Sequence, residues 1–213
     1  MNRIFKTICL FIFIVGISFQ AEAAEKNKFD MGLRGGANLA DGEPANDMIT
    51  FGVYGHYRLS DKFLLGIGLD NSNFDFERPA KLLNINYDGT VDADANITTL
   101  SFWVEREYDL KADKLLWFWT AGLGVGFVDV DDATGPIVGG GQYNIKTDPN
   151  TEIIPEVGLG LRWRLNPIFA ITSNVRFGYH FADWDVTDQV SGVTESVDNY
   201  LTSGIFLGME VSF

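Results

Sequence analysis

Cysteine is all but missing from this chain: the only one is Cys9, and histidine occurs just twice, at His56 and His180. These scarcities exclude a disulfide-stapled fold, thiol catalysis and thiolate metal sites, and the two histidines have no metal-ligand spacing. Basic residues are short as well. Sixteen Lys and Arg against 29 Asp and Glu leave a net charge of −13, which argues against nucleic acid as a partner. Long apolar runs are lacking beyond the amino terminus, so no membrane-spanning helix is expected there. Helix-period segments are lacking too, which leaves no helical layer to cover an apolar sheet. What is plentiful is glycine, with 23 residues, and aromatic side chains, which make up 14% of the chain.

The amino terminus has a basic start, Asn2-Arg3-Ile4-Phe5-Lys6, an apolar stretch over 8–19, and a small-x-small exit at Ala21-Glu22-Ala23. This is the layout of a secretory signal peptide, expected over 1–23 and containing Cys9. The remainder, 24–213, has the length of one domain.

Eight segments of 24–213 alternate with period two: 29–39, 48–59, 63–73, 97–108, 115–128, 153–165, 169–181 and 200–213. Each is about as long as a tilted strand needs to cross a bilayer. Short connections (60–62, 109–114 and 166–168) alternate with longer polar ones (40–47, 74–96, 129–152 and 182–199). Within the second long connection, Asp88-Gly89 is a hairpin signal. This pattern predicts an all-β fold, an eight-stranded antiparallel up-and-down transmembrane β-barrel with four long extracellular loops and short periplasmic turns.

The alternation also predicts two faces of opposite chemistry. Phe169, Ile171, Val175, Phe177 and Tyr179 share one side of their segment, and Thr172, Asn174, Arg176, Gly178 and His180 share the other. With no helical layer available, lipid is the simplest cover for the apolar side. Tyr57, Tyr108, Trp117, Trp119, Trp163 and Phe169 fall where a membrane interface is expected. The polar side supplies a lumen charge network of Asp30, Arg34, Arg58, Asp70, Glu105, Glu107, Glu156, Arg162, Arg164, Arg176 and Glu210. Inward glycines, among them Gly66, Gly68 and Gly122, would make room for large neighbours. Buried charges must pair, and Arg176 is expected to hold an acidic partner.

The chain ends Gly208-Met209-Glu210-Val211-Ser212-Phe213, a period-two strand finishing on an aromatic residue. Gly208, Val211 and Phe213 resemble the carboxy-terminal assembly signal of bacterial outer-membrane barrels. With the signal segment and the strand number, the chain resembles the OmpA/OmpX/opacity-type eight-stranded barrels, with the OmpW type as a near relative. The resemblance implies a bacterial outer-membrane location and a barrel-assembly machinery as partner. It also implies structural, adhesive or minor channel roles, among which the fold does not choose.

No cofactor is expected. The acid-rich loops, with Asp129, Asp131 and Asp132 in one group, are the only weak candidates for a metal, and a solvated acidic surface is the preferred reading. Neither histidine is followed by a serine two residues on, so the hydroxyl–histidine pattern of lipid A deacylases is absent from the sequence. The expected function is therefore a non-enzymatic outer-membrane barrel, its lumen closed by salt bridges. Its acidic loops would contact lipid, lipopolysaccharide, a host molecule or an envelope protein. A small pore or hydrophobic-solute channel is the alternative, and a lipid A-modifying enzyme comes third.

Overall fold

A computed structural model describes residues 28–41, 47–76, 93–111, 114–136, 141–147, 150–182 and 185–213. The segment 1–23 and the Asp88-Gly89 turn lie outside the described residues. In chain order the strands are β1 (Phe29–Asp41), β2 (Met48–Arg58), β3 (Phe63–Phe76), β4 (Ala93–Lys111), β5 (Leu115–Val130), β6 (Ala133–Pro136), β7 (Gln142–Thr147), β8 (Asn150–Arg164), β9 (Phe169–His180), β10 (Asp185–Asp188), β11 (Thr194–Ser196) and β12 (Tyr200–Ser212). The eight long strands close into an antiparallel barrel in the order β1-β12-β9-β8-β5-β4-β3-β2. This is the fold read from the eight alternating segments.

Closure joins the first strand to the last. β1 and β12 run antiparallel from Asp30 opposite Ser212 to Asp41 opposite Leu201. The Phe213 amide donates to the Phe29 carbonyl at 2.8 Å, carrying the seam to the final residue. A closed ladder leaves no unpaired strand edge, which is the condition for crossing hydrocarbon with strands. Deleting Phe213 is expected to impair assembly in the membrane. The check is heat-modifiable migration of the membrane fraction, where a normal barrel would refute the expectation.

Side-chain chemistry sets the tight turns at one end of the barrel. Ser60 Oγ accepts from the amides of Lys62 at 3.4 Å and Phe63 at 3.2 Å. Asn166 Oδ1 accepts from the amides of Ile168 and Phe169, both at 2.8 Å. Serine and asparagine serve here because a short polar side chain can replace a backbone acceptor in a turn.

Alternation places one continuous set of large apolar side chains outside. Ile205, Leu207 and Met209 on β12 keep 63%, 64% and 66% of their surface exposed, and Leu159 and Trp163 on β8 keep 57% and 55%. A belt this extensive would be an aggregation liability in water and is an ordinary surface in lipid. The inner face holds the buried polar and charged residues. Glycine is needed there for space. A Cβ at Gly66 would fall within the Trp103 indole, and one at Gly122 would meet the Trp103 Cβ at 2.6 Å. Glycines on both neighbouring strands thus let Trp103 lie across the lumen.

Two polar connections are more ordered than the sequence suggests. Parts of the stretches read as loops over 129–152 and 182–199 form β6, β7, β10 and β11, a four-stranded sheet in the order β11-β10-β7-β6 that caps the barrel at the end away from the tight turns. β4 also begins at Ala93 rather than 97, and β8 at Asn150 rather than 153. β4 has a register shift between Asp109 and Lys111 next to the turn into β5.

Candidate functional site

Among the described residues, three side-chain clusters occupy the lumen. The lowest lies toward the tight turns and centres on Arg162, which is 2% exposed. Arg162 Nε donates to Glu210 Oε2 at 2.6 Å, and Nη2 donates to Glu210 Oε1 at 3.0 Å. Its Nη1 donates to Glu105 Oε1 at 2.6 Å and also to Glu107. One guanidinium therefore serves three carboxylates, two from β4 and one from β12. The planar five-donor fork allows this, and a lysine could not reproduce it.

Neighbouring groups absorb the excess acid. Arg58 Nη1 donates to Glu107 Oε2 at 2.7 Å and Arg58 Nη2 reaches Asp30 at 3.5 Å. Arg164 Nη2 reaches the same Glu107 oxygen at 3.4 Å from a more exposed position. The Tyr54 hydroxyl donates to Glu210 Oε1 at 3.0 Å. His56 sits between Glu105 and Glu210, at 3.5 and 3.7 Å, with no hydrogen bond from either ring nitrogen.

The middle cluster is built on Asp70. Arg34 donates to it through Nε at 2.7 Å and also through Nη2. Arg176 stands farther off, 3.5 Å from Asp70 and 3.9 Å from Glu156. Trp103 touches both clusters, with Arg34 5.2 Å and Arg176 5.5 Å from its ring centroid and the His56 ring 5.5 Å away edge-on. The expected acidic contact of Arg176 is thus present but loose, while the tight partner of Asp70 is Arg34.

The third cluster lies nearest the cap sheet and gives one of the two inward histidines its partners. His180 Nδ1 is 2.8 Å from Glu152 Oε2, and His180 Nε2 is 3.1 Å from the Thr202 hydroxyl. The Tyr200 hydroxyl donates to Glu152 at 3.1 and 3.3 Å, and its ring stacks on His180 at 4.3 Å. A carboxylate–histidine–hydroxyl arrangement therefore exists, although no spacing along the chain announces it. Its members come from β8, β9 and β12, and partners across strands are invisible to a search within one strand.

Space around these clusters is small. The cavity beside His180 and Thr202 measures about 50 Å³, and the one beside Arg34 and Arg162 about 20 Å³. Such volumes hold one or a few waters. A larger vestibule of about 690 Å³ opens below Arg162 at the turn end, lined in part by Asp30, Arg58, Glu107 and Arg164.

Above the clusters, the cap seals itself with apolar side chains. Met48, Phe74, Ile97 and Val128 of the barrel rim form one buried cluster with Tyr143, Ile145, Val186 and Val197 of the cap. Asp188 holds the tip of the cap. Its Oδ1 accepts from the amides of Asn144 at 3.1 Å and Val190 at 3.2 Å, and its Oδ2 accepts from the Ser191 amide at 3.0 Å. Burial alone would raise this carboxyl, but the Ser191 side chain and these amide donors outweigh it and hold it below the usual aspartate range. Gly192, at φ 73°, completes the turn.

The weak metal candidates are dispersed. Asp132 is 3.3 Å from Lys146, while Asp129 and Asp131 are exposed. Among the described residues, no group of three or more His, Cys, Asp or Glu could hold a metal ion.

The aromatics expected at a membrane interface lie on the outer face toward the turn end. Tyr108 and Trp117 stack at 4.2 Å with 9° between their planes, and Trp119 Nε1 donates to the Tyr108 hydroxyl at 3.4 Å. Tyr57 packs on Phe29 at 5.0 Å, and Trp163 and Phe169 are open to the surroundings. Of the carboxy-terminal trio, Gly208 faces inward beside Thr172 and the Tyr54 hydroxyl, Val211 pairs with Met31 and Phe169, and Phe213 ends the seam. Tyr54, Trp103, Glu152, Tyr200 and Thr202 join the lumen without having been singled out. Alternation carries Tyr54 and Trp103 inward with His56 and Glu105, whereas Glu152 falls in a stretch that reads as loop.

No protein-family model and no curated protein matches the chain. Solved structures do. A major outer membrane protein from Thermus thermophilus aligns with a TM-score of 0.55 at 14% identity, over 87% of this chain and 99% of that one. Neisserial surface protein A aligns with a TM-score of 0.54 at 14% identity, over 87% and 97%. Ail, the attachment invasion locus protein of Yersinia pestis, in complex with the heparin analogue sucrose octasulfate, aligns with a TM-score of 0.52 at 10% identity, over 89% and 100%. Identities this low speak to architecture and not to ligand or role. With a closed ladder, an apolar exterior and a charged interior, the chain has the fold of the eight-stranded bacterial outer-membrane β-barrels.

Proposed function

We propose that this chain is a non-enzymatic outer-membrane barrel whose role is structural or surface interaction, carried by its acidic cap. Residues 1–23 direct export and 24–213 form the barrel. The tight turns face the periplasm, the cap faces outward, and the barrel-assembly machinery reads Gly208, Val211 and Phe213. Lipid and lipopolysaccharide surround the apolar belt.

The observation that carries this reading is the double closure of the lumen. The Arg162 cluster fills the bore with paired charges, and the apolar cluster around Val186 roofs it. A conduit would need connected space, and the mid-lumen cavities are of water size. Catalysis at Thr202 would need room for an acyl chain beside the hydroxyl, which a cavity of about 50 Å³ does not offer. The cap and the rim beneath it bear exposed acids, Asp185 on the cap and Asp129 and Asp131 at the end of β5. These would repel a sulfated polyanion of the kind bound to Ail, so a partner with a basic face suits this chain better.

Planar-bilayer recording of the purified barrel tests the reading. The expected result is no unitary current. Reproducible unitary currents would replace it with the runner-up, a small pore or solute channel entered through the vestibule at the turn end.

A further inference from the structure

Among the described residues, one arginine stands on the outer face of the barrel. β4 sends Glu105 and Glu107 into the lumen, which sends Arg106 outward among apolar and aromatic neighbours. Arg106 lies opposite Phe63, the first residue of β3, and opposite Trp119 of β5. Its guanidinium is 5.1 Å from the Phe63 ring centroid and 4.9 Å from that of Tyr108. Its Nε is buried and has no hydrogen-bond partner, and no carboxylate among the described residues pairs with it. Every other arginine of the described barrel strands has an acid within 4 Å.

We infer that Arg106 is the core of a lipid-headgroup site, binding the phosphodiester of a glycerophospholipid in the leaflet at the turn end. This inference rests on the membrane-barrel reading above. A cation on a lipid-facing surface is tolerated where its long stem can carry the charge to the headgroup level. Arg106 has that location: Phe63 follows directly on the 59–62 turn, and the Glu107 amide donates to the Lys62 carbonyl at 2.9 Å. The rings of Phe63 and Tyr108 flank the guanidinium by their π-systems. That leaves its two terminal nitrogens for an anion, and a phosphodiester matches this end of the guanidinium fork in charge and geometry. The Tyr108–Trp117 stack beside it supplies a flat wall for the glycerol and upper acyl carbons.

Native mass spectrometry of the full barrel in a neutral detergent tests the site, with phosphatidylglycerol as the probe. A retained lipid is expected on the wild type. In Arg106→Gln the apparent affinity should fall about fivefold, the weight of one basic residue at an anionic surface. Arg106→Lys should recover part of the loss, and Lys146→Gln, in the cap, should bind as the wild type does. Diacylglycerol, which lacks the phosphate, should not be retained, and excess inorganic phosphate should not displace the phospholipid. Equal binding by Arg106→Gln, retention of diacylglycerol, or displacement by inorganic phosphate would each overturn the inference. Heat-modifiable migration of each variant monitors folding. Sedimentation of the wild type as a soluble protein without detergent would instead overturn the barrel reading itself.

Discussion

Replacing Arg162 with leucine is expected to destabilise the barrel by about 3–5 kcal/mol, the cost of removing one partner from a buried ion cluster. The size follows from what stays behind. Glu105, Glu107 and Glu210 all point at the vacated position, and Glu105 and Glu210 have no other arginine or lysine within 4 Å, only the His56 ring at 3.5 and 3.7 Å. Glu107 fares better, because Arg58 still holds it at 2.7 Å. Leucine also lacks the reach and donors that fill the bore between Phe118 and Tyr54. Arg176→Leu should cost clearly less. Its acidic neighbours are 3.5 and 3.9 Å away, and Asp70 keeps Arg34. The two urea midpoints, measured on barrels refolded into the same vesicles, check the ranking. Adding Glu210→Gln to the Arg162 variant should restore part of the loss, since it removes one of the stranded charges. An unchanged midpoint for Arg162→Leu would mean that water solvates the cluster and the lumen is wet.

The contrast between these two arginines marks how far period-two reading reaches. Alternation states the face of a residue, because a one-residue slip would put the whole apolar set on the wrong side. It placed Arg162, Arg176 and Glu210 inside for that reason. It does not state the registers between strands, and those decide partners. Arg162 on β8 meets Glu105 and Glu107 on β4 and Glu210 on β12, strands that do not pair with β8. Only the closed, narrow bore brings them within reach. The carboxylate–histidine–hydroxyl group of Glu152, His180 and Thr202 escaped for the same reason.

The cap was illegible for a different reason. β7 presents only Tyr143 and Ile145 to the cluster, and β10 presents only Val186. One or two apolar positions between glycines and acids do not make a period. Gly135 and Pro136 fall in the 129–152 stretch read as a loop, yet β6 includes both at a sheet edge, where proline is tolerated. Asp188 looked like one more solvated acid and is a buried turn anchor. In each case the deciding partner is far away in the chain: Val186 packs because Met48 and Ile97 stand on the rim below it.

Substituting Val186 with aspartate should therefore undo the cap while sparing the barrel. Val186 has no exposed surface and lies within a cluster of Met48, Ile97, Tyr143 and Ile145. A carboxylate there has apolar neighbours and would be too costly to bury ionised, so the cap sheet must open to hydrate it. The eight-stranded ladder does not depend on that sheet, because each barrel strand is paired on both sides by another barrel strand. The expected outcome is a barrel that keeps its heat-modifiable migration but is cut by protease within 141–147 or 185–196 faster than the wild type. Current across a planar bilayer should stay absent, because Arg162 and its carboxylates still fill the bore beneath. Protease resistance equal to the wild type would show that the apolar cluster does not hold the cap down. Unitary currents in the variant would assign the seal to the cap alone and make the Arg162 cluster a support for the wall rather than a plug.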